Sequence, residues 1–243
     1  MKFLIVPALL LALAGCAANA PKQDPWMGFN REMHKFNHDV DLALLKPASQ
    51  VYNAVVPAPV NRGISNFFSN LGEIPVIANN LLQLKFTQTI QDSGRFLVNS
   101  TIGLLGFLDP ATDMGLVKHH EDFGQTLGVW GVPSGPYLVL PLLGPSSLRD
   151  FPGQLVDKLL LDPRAYAAPG DPERWTRISQ GVQLLDTRAD LLQAEKVLDT
   201  AATDPYNFLR DAYLQKRQVL VQDGKDSSTP AIRDDELFDD VAK

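Results

Sequence analysis

The 243-residue sequence predicts a mainly α-helical fold with a glycine- and proline-rich irregular middle and an acidic tail. Three observations carry that reading. Apolar residues recur every three or four positions through both flanks of the chain, the period of one helical face. Residues 103–153 hold nine of the 17 glycines and six of the 18 prolines, which disfavours long regular elements there. Residues 223–243 carry seven acids against Lys225, Arg233 and Lys243, a composition that predicts a disordered tail.

The chain begins with Lys2, an apolar run from Phe3 to Leu13, and then Leu13-Ala14-Gly15-Cys16. This is the pattern of a secretion signal, and the run is too short to span a bilayer, which takes about 20 residues. The tetrapeptide resembles the processing box of bacterial lipoproteins, so Cys16 is expected to become the acylated first residue of the mature protein. A multiply acylated cysteine holds its protein on a membrane almost permanently. Ala17, where inner-membrane lipoproteins typically carry Asp, points to the outer membrane. The expected division is residues 1–15 signal, 16–24 lipidated linker, 25–221 helical domain and 222–243 disordered acidic tail.

Asp24-Pro25 reads as a cap and first-turn proline opening a helix, with Trp26, Phe29, Met33, Phe36, Val40 and Leu44 on one face. Pro47 and Pro57 punctuate the segment after it. Pro59 opens a helix with Val60, Ile64, Phe67, Phe68 and Leu71, and Pro75 starts the next, with Ile77, Leu81 and Leu84. A longer helix is expected from Phe86 to Ile102. In the irregular middle, Leu104 to Leu108 and Tyr137 to Leu143 are the most apolar stretches of the mature chain, short enough to be either buried core or membrane contact. Helical periodicity resumes from Ser146 to Leu161, with Ser146 and Ser147 as caps, and from Asp171 to about Leu198, with a break near Thr187. Asp204-Pro205 opens a last helix through about Val221.

The net charge is −6 and most of it lies in the tail, so the folded body is nearly neutral. Nucleic acid binding needs a basic face to displace counterions from phosphates, and a nearly neutral body removes the electrostatic case for it. Cys16 is the only cysteine, which excludes intramolecular disulfides and zinc-thiolate sites. No nucleophile elbow, nucleotide loop or His-Glu-x-x-His motif occurs. His34 and His38 are spaced for one helical face but lack an evident third ligand. His119-His120-Glu121-Asp122 reads as a solvated loop or a helix start. No catalytic residue, metal or cofactor is expected.

A resemblance runs from Asp24 to about Arg217. Its residues include Gly28-Phe29-Asn30-Arg31, Phe36-Asn37, Asn66 to Leu71, Asn80 to Gln83, Arg95-Phe96, Asn99-Ser100-Thr101 and Asp109. It continues in Phe123 to Gly128, Gly135 to Tyr137, Gly144 to Ser146, Arg149-Asp150, Thr187-Arg188 and Asp204 to Arg217. In these motifs and their order the sequence resembles the MlaA (VacJ) lipoprotein family. It departs at Leu84, where the family usually has Gly.

The resemblance implies a ring of amphipathic helices in the inner leaflet of the outer membrane, facing the periplasm, around a central channel. Phospholipid that has strayed into the outer leaflet would enter that channel and pass to a periplasmic carrier (MlaC-like), with porin trimers as partners. Arg95, Asn99, Ser100 and Thr101 interrupt an otherwise apolar helix. They are either the polar wall of the channel or groups satisfying backbone at a helix junction. Gly103, Gly106 and Gly115, beside Phe107, are candidates for a gate. The competing readings are a porin-associated scaffold lipoprotein and a lipid hydrolase.

Overall fold

The computed structural model describes residues 22–167, 171–201 and 204–224. The signal segment, Cys16 and the acidic tail beyond residue 224 lie outside the described residues.

Helix α1 (Met27–Val40) runs through a π-helical turn (Asp41–Leu45) into α2 (Lys46–Val55). Pro47 therefore does not break the chain. It sits in the first turn of α2, directly after the π-helical turn, and the helical backbone runs on through it. Asp24 does not cap α1 either, because the helix starts later, at Met27. The Asp24 carboxylate is fully buried and accepts hydrogen bonds from Asn30 Nδ2 (2.8 Å) and the Tyr206 hydroxyl (2.5 Å). Helix α3 (Ala58–Leu82) passes straight through Pro75, in contrast to the separate helix expected to open there. The lost backbone bond is outweighed by packing on both sides of the proline: Glu73, Val76, Asn79 and Asn80 are all buried.

Helix α4 (Phe86–Thr101) lies along α3. Two short helices come next, α5 (Pro110–Asp113) and α6 (Phe123–Val129), each capped by the preceding aspartate. Asp109 accepts from the Thr112 amide and Asp122 from the Gln125 amide. The Asp122 end of the His119 to Asp122 cluster is thus a helix start.

Strands β1 (Tyr137–Leu140) and β2 (Gly144–Ser147) form an antiparallel hairpin with Tyr137 opposite Ser147 and Leu140 opposite Gly144. Asn30 and Asn37, seven residues apart on α1, pair with β1 as a third strand would. The Asn30 amide donates to Tyr137 O (3.0 Å) and accepts from the Val139 amide (2.9 Å). Asn37 donates to Leu140 O (2.9 Å) and accepts from the Leu142 amide (2.7 Å). The apolar stretch from Tyr137 divides accordingly: Tyr137, Val139 and Leu140 are buried, while Leu142 and Leu143 stand exposed at the hairpin tip.

Ser146 and Ser147 belong to β2, and helix α7 (Asp150–Val156) begins after them, with Ser147 Oγ accepting from the Asp150 amide. A second π-helical turn (Asp157–Leu161) and α8 (Arg164–Ala167) lead to α9 (Pro172–Ala201), which is unbroken at Thr187. Helix α10 (Pro205–Val221) opens as expected, with Asp204 capping at the Asn207 amide.

The contacts close on themselves. Helix α1 packs on β1, β2 on α10, α10 on α6, α6 on α3, α3 on α9, and α9 on α2, which continues α1. Arg217 locks the circuit where α6, α7 and α10 meet, bonding both Asp122 and Asp150, and the Tyr213 hydroxyl joins it on Asp150 at 2.6 Å. This is the ring that the resemblance implied.

Candidate functional site

The ring is built inside out. Among the described residues, twenty buried side chains are polar or charged and only eight are apolar. Helix α4 shows why. Asp92, Arg95 and Asn99, at steps of three and four, face inward, while Phe86, Ile90 and Leu97 on other faces are exposed, Ile90 by 73%. A helix in water turns the other way. Ile102, Leu104 and Leu105 extend the exposed apolar surface beyond the end of α4. No helix among the described residues is long and apolar enough to cross a membrane.

The buried polar face of α4 forms a charge network with α3 and the α5 segment. Arg95 is 2% exposed and donates to Asp109, Thr112 Oγ1 (3.1 Å) and Leu116 O (2.6 Å). Asn99 donates to Asp109 Oδ1 (2.8 Å) and accepts from the Ala111 amide (3.1 Å). Burial opposes ionisation of Asp109, but bonds from Thr112 and Asn99 and the Arg95 charge outweigh it and hold the carboxyl below its usual range.

Glu73 lies between Arg95 Nε (3.6 Å) and Lys118 Nζ (3.8 Å). Burial, reinforced by Asp92, raises its pKa to about 7 against the pull of Lys118 and Arg95. Its second carboxylate oxygen has no hydrogen-bond partner.

Three of the four wall candidates therefore meet at one junction. Arg95 and Asn99 hold Asp109, and Ser100 accepts from Asn70 Nδ2 at 2.9 Å. Thr101 is exposed and donates back to Leu97 O (2.6 Å). Among the gate candidates, Gly103 and Gly106 sit in a tight turn. A Cβ at Gly103 would come within 2.5 Å of Asn99 O and Leu108 O, and Gly106 (φ +94°) abuts Asn70. Gly115 (φ +78°) has open space around it. Phe107 packs over Gly63 and against the Phe67 ring, 5.8 Å away.

A cleft of about 140 Å³ opens elsewhere in the ring, where α3 faces the second π-helical turn. Phe68, Leu71, Gly72 and Pro75 share one face of α3 and form its apolar wall. Asp157, Lys158, Asp162, Arg164 and Gln183 form the opposite, polar wall. Arg164 grips Asp162 through Nε (2.8 Å) and Nη2 (2.7 Å) and donates to Gln183 Oε1 (2.7 Å). Asp157 accepts from Asn79 Nδ2 and from the Phe123 amide, each at 2.9 Å. Lys158 is exposed and has no ion-pair partner among the described residues.

None of the wall candidates lines this cleft. Apart from Gln183, its polar residues fall in Asp157-Lys158-Leu159-Leu160-Leu161-Asp162-Pro163-Arg164, a run whose charges bracket three leucines. That bracketing is the signal in the sequence. Of the histidine pair, His34 stacks edge-on to Tyr206, and burial and His38 lower its pKa.

A closed circuit of helices with charge inside and apolar residues outside defines a helical protein built for an apolar surrounding. The chain belongs to the MlaA lipoprotein family, whose model matches residues 22–220. It is 36% identical to the intermembrane phospholipid transport system lipoprotein MlaA of Haemophilus influenzae over 232 residues, 91% of each chain. With the protein of that name in Escherichia coli it shares 34% identity over 237 residues, 92% of each. A solved structure, described under "Structural basis for maintenance of bacterial outer membrane lipid asymmetry", superposes with a TM-score of 0.71 at 33% identity. It covers 82% of this chain and 98% of the solved one.

Proposed function

We propose that this chain is an outer-membrane lipoprotein that maintains lipid asymmetry by removing mislocalised phospholipid from the outer leaflet. In this reading Cys16 carries the acyl anchor and the apolar outer faces of the helices sit in the inner leaflet. Phospholipid passes through the ring, along a path that includes the amphipathic cleft and the polar residues from Arg95 to Thr101, to a periplasmic carrier. The turn from Gly103 to Gly115 around Phe107 gates the path, and porin trimers hold the ring in place.

The observation that carries the reading is the inside-out burial of α4. Charged side chains kept together inside an apolar shell suit the transfer of an amphiphile. The family relationship supports the same reading. The energy for net transport comes from elsewhere, since the sequence holds no nucleotide-binding motif.

Native mass spectrometry of the detergent-purified protein tests it. Bound intact phospholipid is the expected result. A lipid-free protein favours the scaffold, and accumulated lysolipid favours a hydrolase.

A further inference from the structure

The cleft between α3 and the second π-helical turn has four charged side chains, and three of them are already engaged. Asp162 and Arg164 neutralise each other through a forked pair, and Arg164 also holds Gln183. Asp157 has one oxygen on Asn79 and the other on the Phe123 amide. Lys158 alone is exposed and without an ion pair among the described residues. Opposite stand Phe68, Leu71 and Pro75. The π-helical turn that carries Lys158 is a rare conformation that is frequent at functional sites.

We propose that Lys158 contacts the phosphodiester of a glycerophospholipid while the α3 face takes the start of its acyl chains. The cleft then reads the phosphate and ignores what is esterified beyond it. This inference rests on the transport reading and names its substrate class. Size agrees: at about 140 Å³ the cleft is below the ~300 Å³ of a pocket that encloses a drug-sized ligand, so it holds only part of a lipid. Charge agrees as well. Arg164 neutralises the Asp162 carboxylate and the Asp157 carboxylate is turned to Asn79 and the Phe123 amide, whereas the exposed ammonium of Lys158 offers three donors to any phosphate.

The test uses the full-length chain, purified in detergent and equilibrated with vesicles containing phosphatidylethanolamine, phosphatidylglycerol and diacylglycerol in equal amounts. Retained lipid is extracted and resolved by chromatography. The wild type is expected to retain both phospholipids in the proportion supplied and to exclude diacylglycerol. Lys158→Gln should retain about tenfold less of both, the value of one charge-assisted hydrogen bond, and Lys158→Arg should match the wild type. Lys158 is exposed, so thermal melts of the variants should coincide with the wild type.

Equal retention by Lys158→Gln and the wild type overturns the inference and leaves the transport reading standing. Ready uptake of diacylglycerol, or a strong preference between the two phospholipids, also overturns it. Displacement of lipid by inorganic phosphate alone would make the cleft a free-phosphate site and has the same force. A wild type that retains no lipid brings down the transport reading and this inference together.

Discussion

One guanidinium nitrogen of Arg95 donates to both carboxylate oxygens of Asp109, at 3.1 and 2.9 Å, and so ties the middle of α4 to the loop after it. The charges are of unequal burial, 2% exposed on the arginine side chain and 30% on the aspartate. Removing the aspartate leaves a buried cation beside Glu73. Asp109→Asn and Arg95→Met should each destabilise the protein, by about 3 kcal/mol for the arginine. The double variant should cost less than the sum, with a coupling of roughly 1–3 kcal/mol in a denaturation cycle carried out in detergent.

Glu73 makes stability depend on pH in an unusual direction for a carboxylate. Its pKa in the folded protein is raised from 4.5 to about 7, chiefly by burial, so between those values the folded state binds the proton more tightly than the unfolded state. The stability it contributes is complete below about pH 4.5 and is lost as pH rises through about 7. Glu73→Gln should remove that fall. Thermal melts at pH 5 and pH 8 check it: the wild type is expected to lose stability relative to the variant at the higher pH.

Leu84 occupies a position made for glycine. Helix α3 ends with the Lys85 amide bonded to Asn80 O and the Leu84 amide to Leu81 O, a double closure that places Leu84 in the left-handed region at φ 61°. Its side chain is 71% exposed, so little packing is lost on removal. Leu84→Gly should stabilise the detergent-solubilised protein by roughly 1 kcal/mol, seen as a higher melting temperature.

Much of this fold was legible because helices announce themselves by period and cap. Asp204-Pro205 opened α10 as expected, and Phe86 to Ile102 held as α4 to within a residue. Pro75 misled because its local cost is visible in sequence, whereas the burial of Glu73, Asn79 and Asn80 that overrules it depends on partners far along the chain, Arg95, Asp157 and Asp92. Arg95 and Asn99 stood out as polar residues in an apolar helix, but Asp109 and Glu73, which explain them, lie 14 and 22 positions from Arg95 in the chain. The cleft was missed for the same reason: α3 and the turn at Asp157 meet only through tertiary packing. Two π-helical turns have no sequence period to betray them.

The turn around Phe107 gives the gate a direct test. Phe107 packs against Phe67 on α3, so cysteines at these two positions, bridged by a short thiol crosslinker with Cys16 retained, should arrest transport. Cleaving the crosslink should restore it. A bridged protein that clears outer-leaflet lipid at the unbridged rate shows the turn to be static, in keeping with the close packing at Gly103 and Gly106.

Transport itself is tested most directly by the amount of phospholipid in the outer leaflet of cells lacking this gene, measured with a reagent that labels surface phospholipid without crossing the outer membrane. Surface phospholipid should rise in the deletion strain and return to its former level when the wild-type gene is restored. Surface phospholipid that stays at the parental level in the deletion strain, above all with altered porin abundance, would contradict transport and support the scaffold.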